Sequence, residues 1–198
     1  MMASNTKGIS LSSWESALGS LLVTTGLVLA ILGHSPVWYT LFGPGGLIFL
    51  DGINSRHGFS VLRHPKTALM VWVGLMIAAC MIELVAARGL QIVYYPHLSV
   101  SEYIVHTLII GYPSAALFAL EVLVFLDLKV TQHFPRLLLF ALGMLTFCVT
   151  TEFPNTFAWE WAYHITCYGQ WLGIPRILFI VYPFLIPILV LKPLFRTT

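Results

Sequence analysis

"RLLLFALGMLTFCVTTEFPN", residues 136–155, is an apolar run that stops abruptly at an acid, a proline and an amide. A helix needs about 17–25 apolar residues to cross the hydrocarbon core of a bilayer. From Leu137 to Thr151 the run carries no charge, and then the chain turns aromatic and polar as "TEFPNTFAWEWAYHI", residues 151–165. Lipid is the natural solvent for the first part. The second part is either a wet edge or a site.

The same contrast runs through the chain, which is 58% hydrophobic and only 9% charged. Soluble domains carry about 25% charged residues. Six spans are expected, at 17–33, 36–52, 66–87, 103–127, 134–151 and 175–195, within a single integral membrane domain covering 1–198. The opening "MMASNTKGISLSSWES" has one Lys and no small-residue cleavage pattern, so the first helix is expected to be retained rather than removed as a signal peptide. Cys80 and Cys148 lie within apolar runs, and the chain has no CxxC, so a disulfide framework is not expected.

Charge distribution gives an orientation. With six spans, Lys7, Arg56, Arg63, Lys66, Lys129, Arg136, Lys192 and Arg196 share one side, and Arg88 and Arg176 the other. The basic side is expected to be cytoplasmic, with both termini on it, in a bacterial inner membrane. These basic residues read as topology determinants, and a net charge of +2 gives no reason to expect nucleic acid as a partner.

An internal repeat is also legible. His64, Gly74, Glu83 and Tyr94 recur 69 residues later as His133, Gly143, Glu152 and Tyr163, with Gln91 falling on Glu160. "IFLD" (48–51) and "VFLD" (124–127) precede the two copies. His64 to Glu83 is 19 residues, as is His133 to Glu152, a rise of about 28 Å that matches the hydrocarbon thickness. Both copies run the same way, so units at about 36–97 and 103–165 form a parallel repeat. "GPGG" (43–46) and "GYPS" (111–114) interrupt the second and fourth helices. Such breaks survive in lipid where they pack closely on another helix or line a polar cavity.

The chemistry-bearing residues gather on the less basic side: Glu83, Tyr94, Tyr95, His97, Glu102, His106, Glu152, Asn155, Glu160, Tyr163 and His164. Carboxyls against apolar walls can hold a proton and act as acid and base, which makes Glu83, Glu152 and Glu160 the catalytic candidates. Aromatic faces can stabilise a cation formed on a polyene, and Tyr94, Tyr163, Trp159 and Trp161 could supply them. His106, one turn after Glu102, and Asn155 complete that group. Glu121 lies six residues before Asp127, about 9 Å in from the basic side, and must be neutral, paired or facing a cavity. The competing reading of the aromatics is an interfacial belt, and that of the acids is hydrated helix ends. No two His have a metal-ligand spacing such as HxxxH, and there is no CxxCH, GxSxG, P-loop or paired DxxxD, so no metal is expected.

"WYTLFGPGGLIFLDGINSRHGFSVL" followed by "IELVAARGLQIVYY" resembles an uncharacterised group of bacterial multipass membrane proteins. In that group an apolar helix ends in Leu-Asp, an Arg-x-Gly-x-Ser turn follows, and the next helix ends in Glu before an aromatic pair. The matching residues are Leu50, Asp51, Arg56, Gly58, Ser60, Glu83, Tyr94 and Tyr95. The group's Asn three residues after the Glu is Ala86 in the first copy and Asn155 in the second. A fainter likeness is to the small membrane lycopene cyclases and carotenoid hydratases. Their Pro-x-Glu-x-x-Phe-Phe signature is absent, so that likeness implies a type of ligand rather than cyclisation.

The expectation is an all-α, polytopic membrane bundle of about six helices. Its leading function is to bind or act on a long apolar molecule, such as a carotenoid, a quinone or another isoprenoid, or a lipid, with catalysis left open. A non-catalytic subunit of a larger membrane complex and a small transporter are the alternatives.

Overall fold

The computed structural model describes residues 11–33, 37–129, 135–164 and 169–197. They form an all-α helical bundle. α1 (Leu11–Leu32) and α2 (Val37–Asn54) pair first, and a short 3-10 turn (Ser55–His57) leads to α3 (Pro65–Glu83). α4 is composite, with a short start (Val100–Glu102), a π-helical segment (Tyr103–Gly111) and an α-helical body (Tyr112–Lys129). α5 (Arg136–Ala158) follows, and α6 begins at Leu178–Val181 and continues as a 3-10 helix through Tyr182–Phe195. Pro183, Pro187 and Pro193 of α6 each remove a backbone donor, which accounts for a tightened helix of unusual length.

Five segments are long and apolar enough to cross a membrane: Ser12–Leu32, Pro65–Glu83, Val100–Leu128, Arg136–Ala158 and Leu178–Phe195. This is an integral membrane protein. Leu18, Leu21, Met70, Ile77, Met81, Leu137, Phe184 and Val190 point outward, as helices in lipid require. α2 falls outside that set because it carries Asp51, Asn54 and four glycines, and these face protein.

"GPGG" does not break α2, which continues through Pro44. Its glycines are a packing face. A Cβ on Gly45 would stand 2.8 Å from the backbone nitrogen of Val23, and one on Gly19 2.3 Å from that of Phe49, so α1 and α2 touch backbone to backbone. α4 uses its "GYPS" differently. Pro113 has no N–H for the carbonyl of Ile109, and the Trp72 indole from α3 donates to that oxygen instead, at 2.8 Å. Gly111 and Tyr112 then face a cavity.

One end of the bundle is tied by the residues of the Leu-Asp and Arg-x-Gly-x-Ser pattern. Asp51 accepts from the Ser60 hydroxyl at 2.8 Å and from the backbone N–H of Val61 and Leu62 at 2.6 and 3.1 Å. Gly58 turns the chain at φ 81. Arg56 reaches Ser12 and Ser13 of α1. The chain's last described residues close this end, with Ser60 N–H donating to Phe195 and Thr197 N–H to Gly58. Asp127, the counterpart of Asp51, is instead paired with Lys192 at 2.5 Å and Arg136 at 3.4 Å. Lys7 and His133 lie outside the described residues.

At the opposite end, two short strands join the repeat units. β1 (Val93–Tyr94) and β2 (Ala162–Tyr163) pair antiparallel, with Val93 opposite Tyr163 and Tyr94 opposite Ala162. β3 (Gln170–Trp171) and β4 (Ile174–Pro175) form a separate small hairpin. Beyond Glu152 the helix does not stop at the proline: 153–158 completes α5, which passes through Pro154 before ending. Trp159 then adopts a left-handed conformation at φ 53 and its N–H caps Asn155, which turns the chain back over the bundle.

The repeat register changes where the helices end. α3 finishes in a π-helical turn, Leu84–Gly89, which accommodates one residue more than an α-helical turn. The 69-residue offset therefore becomes 68 beyond Glu83. Gln91 at φ 51 then matches Trp159 at φ 53, and Tyr95 rather than Tyr94 matches Tyr163.

Candidate functional site

Beneath β1 and β2 lies a cavity of about 420 Å³, within the usual range of ligand sites. Its polar upper part carries Tyr39 of α2, Tyr95, Thr107 and Tyr112 of α4, Glu152 of α5, Glu160, Tyr163 and Tyr182 of α6. Its lower part is apolar: Leu75 and Ala78 of α3, Ala115 and Ala116 of α4, Phe147 of α5, and Leu185 and Ile188 of α6. Rim residues Ile82, Val181 and Phe184 are 53%, 48% and 76% exposed, so the cavity has a mouth between α3 and α6 at the lipid-facing surface.

Two acids at equivalent helix ends are each held by phenols. Glu152 is buried and accepts from Tyr182 at 2.7 Å, Tyr163 at 2.9 Å and the Trp161 indole at 3.1 Å. Tyr182 Oη is also 3.0 Å from the Thr151 hydroxyl. Glu83 accepts from Tyr95 at 2.7 Å and from Tyr112, both on Oε1, while its Oε2 has no partner. Glu83 stands behind the cavity wall, and its two phenols form part of that wall. Burial, with Tyr112 and the Glu83 charge next in importance, holds the Tyr95 phenol well above the usual range. Burial and the neighbouring Glu152 do the same to Tyr163.

From "TEFPNTFAWEWAYHI", the described residues 159–164 fold back as a lid on this cavity. Asn155 Oδ1 accepts from the N–H of Glu160 at 3.0 Å and Trp161 at 3.2 Å, and its Nδ2 donates to the Trp161 carbonyl at 2.7 Å. One amide thus fixes the turn that sends the Trp161 indole to Glu152 and the Glu160 side chain inward. Trp161 stacks on Trp38 at 5.7 Å and meets Tyr39 edge-on at 5.0 Å. Glu160 is 3% exposed, and its Oε2 has no hydrogen-bond partner. Burial pushes its carboxyl up to about 8.

Of the residues singled out from the sequence, Glu152, Glu160, Trp161 and Tyr163 line the cavity together. Glu83 joins it through Tyr95 and Tyr112, and Asn155 shapes its roof. Tyr94 lies on the outer surface, stacked on His164 at 4.3 Å. Trp159 is half exposed. His106 joins α4 to α2, its Nδ1 2.7 Å from the Thr40 hydroxyl. Glu102 caps the start of α4 together with Ser99. Glu121 is deeper and elsewhere: fully buried, it accepts from Asn54 Nδ2 at 2.6 Å. Among the described residues no three His, Cys, Asp or Glu side chains are grouped to hold a metal ion.

The reading of the sequence did not include Tyr39, Thr107, Tyr112 and Tyr182 in the site. A signal existed, because a phenol or hydroxyl inside an apolar span must find a partner within the protein. No family model, no curated protein and no solved structure matches this chain.

Proposed function

We propose that this membrane protein takes a long, largely apolar molecule of the isoprenoid or lipid class from the bilayer and seats its more polar end among Glu152, Glu160 and the surrounding phenols. The observation that carries this reading is the cavity itself: polar at one end, apolar along its length, and open laterally where Ile82, Val181 and Phe184 meet lipid. A polar solute arriving from water would gain nothing from the apolar floor. A molecule already dissolved in the membrane loses no hydrophobic burial on entry and gains polar contacts that hydrocarbon cannot offer.

Glu152, ringed by three donors, supports the same reading as a fixed feature of the site. Its partners Trp161, Tyr163 and Tyr182 all line the cavity, so their rings are presented to whatever occupies it. In this reading Glu152 sets the wall and Glu160 faces the ligand.

The test is to purify the protein in mild detergent and extract what it retains, measured beside yield, for the native chain, Glu152→Gln and an Arg196→Gln control. A stoichiometric apolar compound lost only from Glu152→Gln supports the proposal. Retention of other proteins with no extractable compound would favour a subunit of a larger assembly.

A further inference from the structure

The polar end of the cavity differs from a lipid-phosphate site in one decisive respect. No Lys, Arg or His is among the described residues that line it, whereas two carboxyls are. Recognition of a phosphate depends on cationic or backbone N–H donors, and a carboxyl-walled, low-dielectric space opposes a second anion. The lining therefore offers an anionic head group no counter-charge.

Two fully buried side-chain atoms among the described residues of the lining have no partner in the protein, Glu160 Oε2 and Thr107 Oγ1. Glu160 is 3% and Thr107 7% exposed, so bulk water does not satisfy them. Every other carboxyl and phenol of the Glu152 group is already committed to a neighbour. An orphaned buried polar atom costs free energy unless something arrives to pair with it.

We propose that Glu160 and Thr107 donate to an uncharged oxygen acceptor on the ligand, a carbonyl foremost, so that the occupant is a carbonyl-bearing isoprenoid such as a prenylated quinone. This deepens the cavity reading above and rests on it. A carboxyl raised by burial to about 8 keeps its proton at neutral pH and so supplies an O–H donor. The titratable groups that share the lining with it are Tyr39 from α2, Tyr95, Tyr112 from α4, Glu152 from α5, Tyr182 from α6 and Tyr163 from its own segment. None of these is a cation that would draw the proton off. Binding involves no covalent or redox step.

The experiment uses the full chain in lipid nanodiscs with three probes sharing one prenyl chain: a benzoquinone, a monophosphate and the bare hydrocarbon. Retention through gel filtration is quantified by extraction. The expected order is quinone first, with the phosphate and the hydrocarbon each weaker by about tenfold or more, the effect of two neutral hydrogen bonds. Quinone retention should fall as pH rises through about 8. Glu160→Gln, which keeps a donor, should retain the quinone and lose that pH dependence, while Glu160→Ala and Thr107→Val weaken it. Equal or tighter retention of the phosphate, or quinone retention untouched by Glu160→Ala, would overturn the head-group assignment and leave the cavity reading standing. Retention of none of the three by well-folded native protein would overturn both.

Discussion

Tyr94 stands directly opposite Ala162 in the antiparallel pairing of β1 with β2. With the 68-residue offset that follows the π-helical turn, these two residues are equivalents, so each unit's strand meets its own counterpart. An antiparallel pair centred on equivalent residues is what a two-fold axis along the bundle would produce. It brings Glu83 and Glu152 to the same end, each with a phenol beyond it: Tyr95 twelve residues after Glu83, Tyr163 eleven after Glu152.

The extra residue in 84–89 makes a direct prediction. Deleting one residue there should turn the π-helical turn into an α-helical one and leave the protein folded, with yield and thermal stability close to native. Deleting one residue from 153–158 should displace Tyr163 and Trp161 from Glu152 and lower both. Equal tolerance of the two deletions would contradict the register.

Close contact between α1 and α2 predicts that Gly19→Leu is costly, because the new side chain meets the backbone of Phe49. A loss of about 1–3 kcal/mol is expected from overpacking, read as a lower denaturation midpoint in detergent. Gly74→Leu, at a position where an added Cβ meets nothing within 4 Å, should be nearly neutral.

Trp72→Phe should expose how α4 tolerates Pro113. It keeps the ring but removes the indole donor to the Ile109 carbonyl, at a cost of about 1–3 kcal/mol for a hydrogen bond lost. Thermal denaturation of this variant beside Trp14→Phe, which changes an exposed ring, separates the hydrogen bond from the loss of an indole.

Glu160 gives the protein a pH dependence of known sign. Its folded value of about 8 is above the ordinary carboxyl value of 4.5, because burial disfavours the charged form. Its contribution to stability is complete below the ordinary value and is lost as pH rises through about 8. Denaturation midpoints should therefore decline across that interval, and Glu160→Gln should flatten the decline.

Orientation is expected from the basic residues at the Asp51 end, where Arg196 and Thr197 pair with the turn at 58–60. Reporters fused after Thr198 and inserted at 96–98 should give opposite signals, the former cytoplasmic.

Helices were legible in the sequence because lipid imposes long uncharged runs, and acids at their ends because a charge stops such a run. Asp51, Arg56, Gly58 and Ser60 were legible as a pattern, and the structure gives their reason in one carboxylate capping the turn. Tyr95 could not be told from Tyr94, since one extra backbone residue within a helix leaves no mark in hydrophobic periodicity. Tyr39, Tyr112 and Tyr182 were legible as phenols needing a partner inside apolar spans, but not as members of one cavity. The direction in which each hydroxyl points depends on helix rotation, which packing sets.

The central claim is that the space between α3, α4, α5 and α6 is occupied by a membrane-derived molecule. Ala116→Phe fills that space from its apolar side without touching Glu152, Glu160 or their hydrogen bonds. The measurement is the molar ratio of extracted apolar compound to purified protein, for native chain and variant at matched yield and thermal stability. The account predicts a ratio near one in the native protein and near zero in Ala116→Phe. An unchanged ratio in a stable Ala116→Phe protein would contradict it.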